Sequence, residues 1–227
     1  SGPQVPISQG FAAWLSRMET TAAWPEPSCK PHAVTSGRYG RRAAMSMCHP
    51  NTERLIDYWR SRARPGAPPP RTSISPADFA DLLPQVVMLG RVCSGIYPIR
   101  LAGGLVTELH QRDLRQQNAL SLFGAKDRMD LQSALEMARR RPEPIVVTAK
   151  AHAEGVAIGM EMLFAPLAGP ENGPDRFLGL YQPLAMVTRL REKPVLSFSL
   201  EDIRKGGPAN EEAPRLRLAA IDGRRIA

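Results

Sequence analysis

Long apolar runs, aromatic residues and cysteines are all scarce in this chain of 227 residues. No stretch of about 20 apolar residues occurs, so no transmembrane helix is expected. The first ten residues lack the charged-then-apolar order of a signal peptide. The three cysteines, Cys29, Cys48 and Cys93, form no CxxC pair. Their odd number and wide spacing favour reduced thiols in a cytoplasmic protein.

Catalytic and metal-binding signatures are missing as well. No two of the four histidines have His-x-His or i, i+4 spacing, which a metal site on one strand or helix would use. The nucleophile elbow Gly-x-Ser-x-Gly and the glycine-rich nucleotide motifs do not occur. Glu108, Asp113 and Glu161 have no paired carboxylate at a readable spacing. The sequence therefore predicts no enzyme and no metal site.

The charge balance is basic but gives no nucleic-acid signature. The net charge is +8, with 30 Lys and Arg against 22 Asp and Glu. These basic residues are scattered in short clusters without interleaved aromatics, and aromatics make up only 6% of the chain. Stacking platforms for bases are thus absent, and specific nucleic-acid binding is not expected.

Composition divides the chain into three zones. Residues 1–49, rich in Pro, Ser, Gly and Thr, are predicted to be a mostly irregular N-terminal extension. Residues 50–187 are predicted to fold, and residues 188–227 to form a polar C-terminal tail with disorder near 204–214. A short amphipathic helix with i, i+3, i+4, i+7 spacing is predicted within the extension. Its apolar residues are Phe11, Trp14, Leu15 and Met18. Such a helix is unstable alone, so it docks on its own domain, on a second copy or on a partner.

The central zone shows strands on both sides of a helical middle. A helix capped by Asn51 is predicted to run to Ala63, with Leu55, Ile56 and Trp59 on its buried stripe. A longer helix is predicted at 126–141. Strands are predicted at 86–92, 97–102, 145–153, 157–166 and 176–182. Two strands, helices and three hairpin-linked strands predict an α+β fold, with a five-stranded antiparallel sheet and helices on one face.

Several motifs in this order resemble a known family. They are Leu55-Ile56-Asp57-Tyr58-Trp59-Arg60, Ile74-Ser75-Pro76, Leu82-Leu83-Pro84, Arg100-Leu101-Ala102-Gly103, Ala165-Pro166-Leu167 and Phe177-Leu178-Gly179. Residues 49–182 resemble a family of small bacterial PAS-domain proteins that was long catalogued as a domain of unknown function. The resemblance implies a PAS-like fold and a non-catalytic sensory or signalling regulator. Its implied partners are signalling proteins such as histidine kinases, with a homodimer bridged by the amphipathic helix or by Leu55 and Trp59.

A pocket between sheet and helices is the alternative site. Its predicted lining is Phe123, Met129, Leu135, Met160, Met162, Phe164 and Leu180. These are also the residues of an ordinary close-packed core, so both interpretations stay open. Arg100 points either into the pocket, toward an anionic ligand, or to the outer face of the sheet.

No cofactor is expected. Flavin-adduct PAS sensors carry a cysteine after the second strand, and residues 110–123 contain none. Haem PAS sensors use a histidine on the long helix, and residues 126–141 contain none. His110 and His152 are interpreted as surface or edge histidines, and a small apolar or anionic ligand remains the alternative to pure protein contact.

Overall fold

The computed structural model describes residues 48–169 and 175–206. In chain order, α1 is Pro50–Arg62, β1 Val86–Gly90, β2 Ile99–Ala102, α2 Gly104–His110, α3 Ala125–Arg140, β3 Ile145–Ala153, β4 Val156–Leu167, β5 Arg176–Pro183 and β6 Ser197–Lys205. Short 3-10 helices at Arg71–Ser73, Pro76–Gln85, Ala119–Leu122 and Val187–Leu190 connect them. No helix in these two ranges is long and apolar enough to span a bilayer.

The strands form one sheet in the order β2-β1-β5-β4-β3-β6, with every neighbouring pair antiparallel. Because side chains alternate along a strand, each strand contributes to two different cores. The inner core lies between the sheet and α2 and α3, and the outer core lies between the sheet and α1. The predicted antiparallel α+β sheet is confirmed, but helices cover both of its faces.

The sheet has six strands where five were predicted. The sixth, β6, pairs with β3 over its whole length and lies in the zone assigned to the C-terminal tail. A bulge opposite Thr148 and Ala149 shifts the register, so Phe198, Leu200 and Ile203 do not keep strict alternation. The alternation of apolar and polar residues that predicts a strand is therefore broken in β6. Its other residues are mostly polar, which is common in a strand at the edge of a sheet. The segment predicted to be disordered begins inside β6, and the rest of it lies outside the described residues.

Local chemistry accounts for the helix and turn boundaries. His49, rather than the predicted Asn51, caps α1, because its Nδ1 accepts a hydrogen bond from the Asn51 amide at 3.2 Å. Pro50 occupies the first turn, where no amide donor is needed. The β3–β4 hairpin turns at Gly155, whose φ of +72° is the left-handed conformation that glycine adopts without strain.

Candidate functional site

The inner core holds most of the predicted pocket lining. Phe123, Leu135, Met160, Met162 and Phe164 all belong to it, and none is more than 2% exposed. The three β4 residues share the inner face because they are two positions apart. The sequence thus identified one layer of the fold, and in that layer these side chains are packed together.

Three predicted pocket residues lie elsewhere. Met129 is 63% exposed on α3, because it falls outside the apolar stripe of that helix. Leu180 faces the outer core. Arg100 sits at a bulge between β1 and β2 and lies on the outer face, across Gly90, with its Nη1 donating to Gln116 Oε1 at 3.2 Å. Assigning Met129 and Leu180 to the pocket was wrong, and for Arg100 the structure shows the alternative position on the outer face.

Strand β6 closes the inner core with Phe198, a residue of the predicted C-terminal tail. The Phe198 ring lies 5.4 Å from the Phe123 ring and 5.7 Å from the Tyr181 ring. Phe198 is itself 2% exposed. Aromatic side chains therefore fill the space between the β6 edge of the sheet and the start of α3.

A buried histidine contributes a polar atom without a hydrogen-bond partner to the described part of this core. His110 ends α2 on the same stripe as Val106 and is 2% exposed, so its interpretation as a surface residue was wrong. Its Nδ1 lies 2.9 Å from the Val195 carbonyl and donates to it, whereas Nε2 is buried with no hydrogen-bond partner among the described atoms. Burial lowers the pKa of His110 to about 4, which keeps the ring neutral. His152, by contrast, is half-buried and bonds Ser199 Oγ at 2.7 Å.

A second polar group ties α3 to the β1–β2 connection. Glu136 is 4% exposed and accepts two hydrogen bonds from Arg91, at 2.7 and 3.1 Å, and one from the Tyr97 hydroxyl at 2.5 Å. Burial alone would raise the pKa of Glu136, but these donors hold it below its ordinary value. Because each carboxylate oxygen is satisfied, the group is an anchor for α3 rather than a free acid or base.

On the outer face, α1 packs against the sheet of its own chain. Leu55 and Trp59 are 0% and 4% exposed, and the Trp59 indole donates to the Pro166 carbonyl at 2.7 Å. These two residues are therefore not available to bridge a second copy, which corrects that part of the prediction. The segment holding Phe11, Trp14, Leu15 and Met18 lies outside the described residues.

An ion pair marks the point where the chain enters α1. Glu161 Oε2 lies 2.6 Å from Arg204 Nη2, and Glu161 Oε1 accepts the His49 amide at 2.9 Å. Arg204 also reaches the free Cys48 thiol at 3.4 Å. Glu161 is 3% exposed, so it is not the solvated carboxylate that its isolation in sequence suggested. The start of α1 is thereby bonded to β4 and β6.

Cys93 is disulfide-bonded and Cys48 is a free thiol, so the expectation of three reduced thiols was wrong for Cys93. A surface groove of about 460 Å³ lies beside the β3–β4 turn, lined by Glu154, Thr188, Arg189 and Lys193 among others. It is separate from the predicted pocket.

Comparison with known proteins finds one family match and several similar solved structures. Residues 47–182 match the family described as PAS domain. A variant of RsLOV aligns at 18% identity and a TM-score of 0.38, over 48% of this chain and 65% of that one. The Rhodobacter sphaeroides LOV protein aligns at 14% identity and a TM-score of 0.37, over 49% of this chain and 69% of that one. The LOV domain of the blue-light photoreceptor Aureochrome1 aligns at 14% identity and a TM-score of 0.38, over 50% of this chain and 85% of that one. No protein of curated function matches the chain in sequence.

The family match covers more than half of the chain. It contains all three α-helices of the described ranges and five of the six strands, apart from the last residue of β5. It also begins within two residues of the described N-terminal boundary. This chain belongs to the PAS domain family.

Proposed function

We propose that this chain is a non-catalytic sensory and signalling regulator that acts through protein–protein contact at the outer face of its sheet. A second copy of the chain is the first partner in the proposal. Histidine-kinase-linked signalling proteins are the further partners that the family resemblance suggests. A cytoplasmic location stays a prediction from the sequence.

The observation that carries the proposal is the division of the outer sheet face into a covered and an uncovered half. Helix α1 covers the apolar half, made by residues such as Leu163, Leu178 and Leu180. Helix α1 also reaches Val146 of β3 and Gly206 after β6. The rest of β3 and β6, together with the start of β4, forms the uncovered half, where Lys150 and Glu201 pair in solvent at 3.0 Å.

One apolar side chain lies within this uncovered half. Leu184 follows β5, contacts the backbone position of Gly159 on β4 and is 48% exposed. The Gly159 site faces outward because it alternates with the inner residues Ile158 and Met160. A second copy docked on this half would bury Leu184 within the contact.

The entry of the chain into the fold supports the choice of surface. Cys48 and His49 contact Arg204 and Glu161, which belong to strands of the uncovered half. The preceding segment of 47 residues, with its predicted amphipathic helix, is therefore joined covalently beside that surface. A helix tethered there can reach either its own sheet or the sheet of a second copy.

Self-association of the full chain tests the proposal. Light scattering at micromolar concentrations is expected to show a homodimer. Leu184→Asp is expected to weaken it about tenfold or more, because a charge would be buried in the contact. Trp14→Gln is expected to weaken it as well.

Met129→Asp is the matched control, since Met129 is 63% exposed on α3, far from the outer sheet face. It should leave association unchanged. A monomer at every concentration, or equal weakening by Leu184→Asp and Met129→Asp, would refute the proposed surface. No effect of Trp14→Gln would remove the N-terminal helix from the contact.

A small-ligand sensor is the second candidate, favoured by one observation. The buried Nε2 of His110 has no hydrogen-bond partner among the described residues, and a polar atom of a small guest could satisfy it. The close packing of Phe123, Tyr181 and Phe198 beside it counts against a large guest. A visible absorption band, or a small molecule released from purified protein and detected by mass spectrometry, would favour this candidate.

A further inference from the structure

Three arginines converge where β1, β2, β4 and β5 end on the outer face of the sheet. Arg176 begins β5 and is paired with Gly90 of β1 on one side and Leu167 of β4 on the other. Arg100, from β2, lies across Gly90 toward β5. A Cβ at residue 90 would sit 2.8 Å from its Nε, so a larger residue there would displace the Arg100 side chain from this path.

Arg71 approaches the same strand ends from the other side. The chain bridges in parallel to the end of β4 at Pro70 and Ala168. The Arg71 amide donates to the Ala168 carbonyl at 3.4 Å, and the Ala168 amide donates to the Pro69 carbonyl at 3.0 Å. These bonds hold Arg71 next to the β4–β5 end of the sheet, where Arg176 lies.

Within the described ranges, no carboxylate forms an ion pair or a hydrogen bond with Arg71 or Arg176. The neighbouring Asp175 pairs instead with Arg139 at 3.2 Å. The Nε of Arg71 is buried and has no hydrogen-bond partner in these ranges. Burial, and then repulsion from Arg71 and Arg100, lower the pKa of the half-buried Arg176.

Holding like charges together in a half-buried place destabilises a protein unless something compensates for them. A guanidinium group offers a planar fork of donors that matches the oxygens of a phosphate. Three such groups, two of them without an acidic partner in the described part of the chain, suit an anion of more than one charge better than a single carboxylate.

We propose that Arg71, Arg100 and Arg176 form a binding site for the phosphate group of a small soluble molecule, on the opposite side of the sheet from the predicted pocket. This site does not depend on the proposed contact surface, which involves the other half of the outer face. Gly90 is part of the site, because it makes room for the Arg100 side chain.

Calorimetric titration of the full chain with inorganic pyrophosphate tests the site. Binding is expected for the wild type. Arg176→Gln and Arg71→Gln should each weaken it about tenfold or more, since each removes a charge-assisted hydrogen-bond donor. Arg176→Lys, which retains the charge and loses the fork, should fall between the wild type and Arg176→Gln.

Arg140→Gln is the matched control. Arg140 is an exposed arginine at the end of α3, so the variant removes the same charge away from the site. It should bind pyrophosphate like the wild type. Citrate at matched ionic strength separates phosphate from carboxylate recognition, and it should bind more weakly than pyrophosphate.

A stability measurement distinguishes loss of binding from loss of folding. Without anion, Arg176→Gln is expected to melt at or above the wild-type temperature, because it removes a repelled charge. With pyrophosphate, only the wild type and Arg140→Gln should gain stability. Equal pyrophosphate binding by the wild type and an Arg71→Gln/Arg176→Gln double variant would overturn the site. Citrate binding as tight as pyrophosphate would overturn its assignment to phosphate.

Discussion

Acidification should destabilise this PAS domain through a single buried residue, His110. Burial, as the largest effect, lowers the pKa of the folded-state imidazole from 6.5 to about 4; the Val195 carbonyl opposes this shift and Arg112 adds to it. In the unfolded chain the ring takes up a proton as the pH falls through 6.5. Between these two values the unfolded state binds more protons, so the free energy of unfolding decreases as the pH decreases.

The size of this effect follows from the two pKa values. Protonating the unfolded ring and not the folded one lowers the free energy of unfolding by about 2 kcal/mol between about pH 7.5 and 5, and by about 3 kcal/mol in full. Carboxylates act in a lower range. The stability that Glu136 contributes is lost only as the pH falls below its unfolded pKa of 4.5. The window from pH 5 to 7 therefore isolates the histidine.

Urea unfolding, followed by circular dichroism at several pH values, measures this dependence. His110→Phe should abolish most of the slope in that window, whatever it does to stability at pH 7.5, because the variant has no titrating ring there. His152→Gln is the control and should keep the wild-type slope, since His152 is half-buried and already bonded to Ser199. A wild-type slope in His110→Phe, or a flat wild type, would refute the argument.

Two stability predictions concern the fold. Gly103→Ala should destabilise it by several kcal/mol in thermal or urea unfolding, because its Cβ would lie 2.3 and 2.4 Å from two backbone carbonyl oxygens of the preceding 3-10 helix. The neighbouring Gly104→Ala is the control, since its Cβ would meet nothing within 4 Å, and equal losses would contradict the steric reason. Tyr97→Phe should cost about 1–3 kcal/mol because it removes one donor from the buried Glu136 carboxylate. An unchanged melting temperature would show that Arg91 and Arg139 satisfy that carboxylate without the phenol.

Local patterns in the sequence were sufficient for the order of the first five strands and the two longest helices, and for most of the inner core. Strand β3 spans Ile145–Ala153 as predicted, and α3 differs from its prediction by one residue at each end. These elements keep an uninterrupted period of two or of 3.6 residues, and their boundaries carry glycine, proline or polar punctuation. The same alternation correctly placed Met160, Met162 and Phe164 on one face.

Tertiary contacts decided the remaining features, because they join residues that are distant in sequence. Strand β6 pairs with β3 through a register shift at Thr148 and Ala149. A bulge in the β1–β2 pair turns Arg100 outward. No local period records either one, since a bulge adds a residue to one strand only. His110 and Glu161 are buried by elements more than 40 residues away, at Val195 and Arg204. Their polar side chains suggested solvent, and only the folded chain shows what surrounds them.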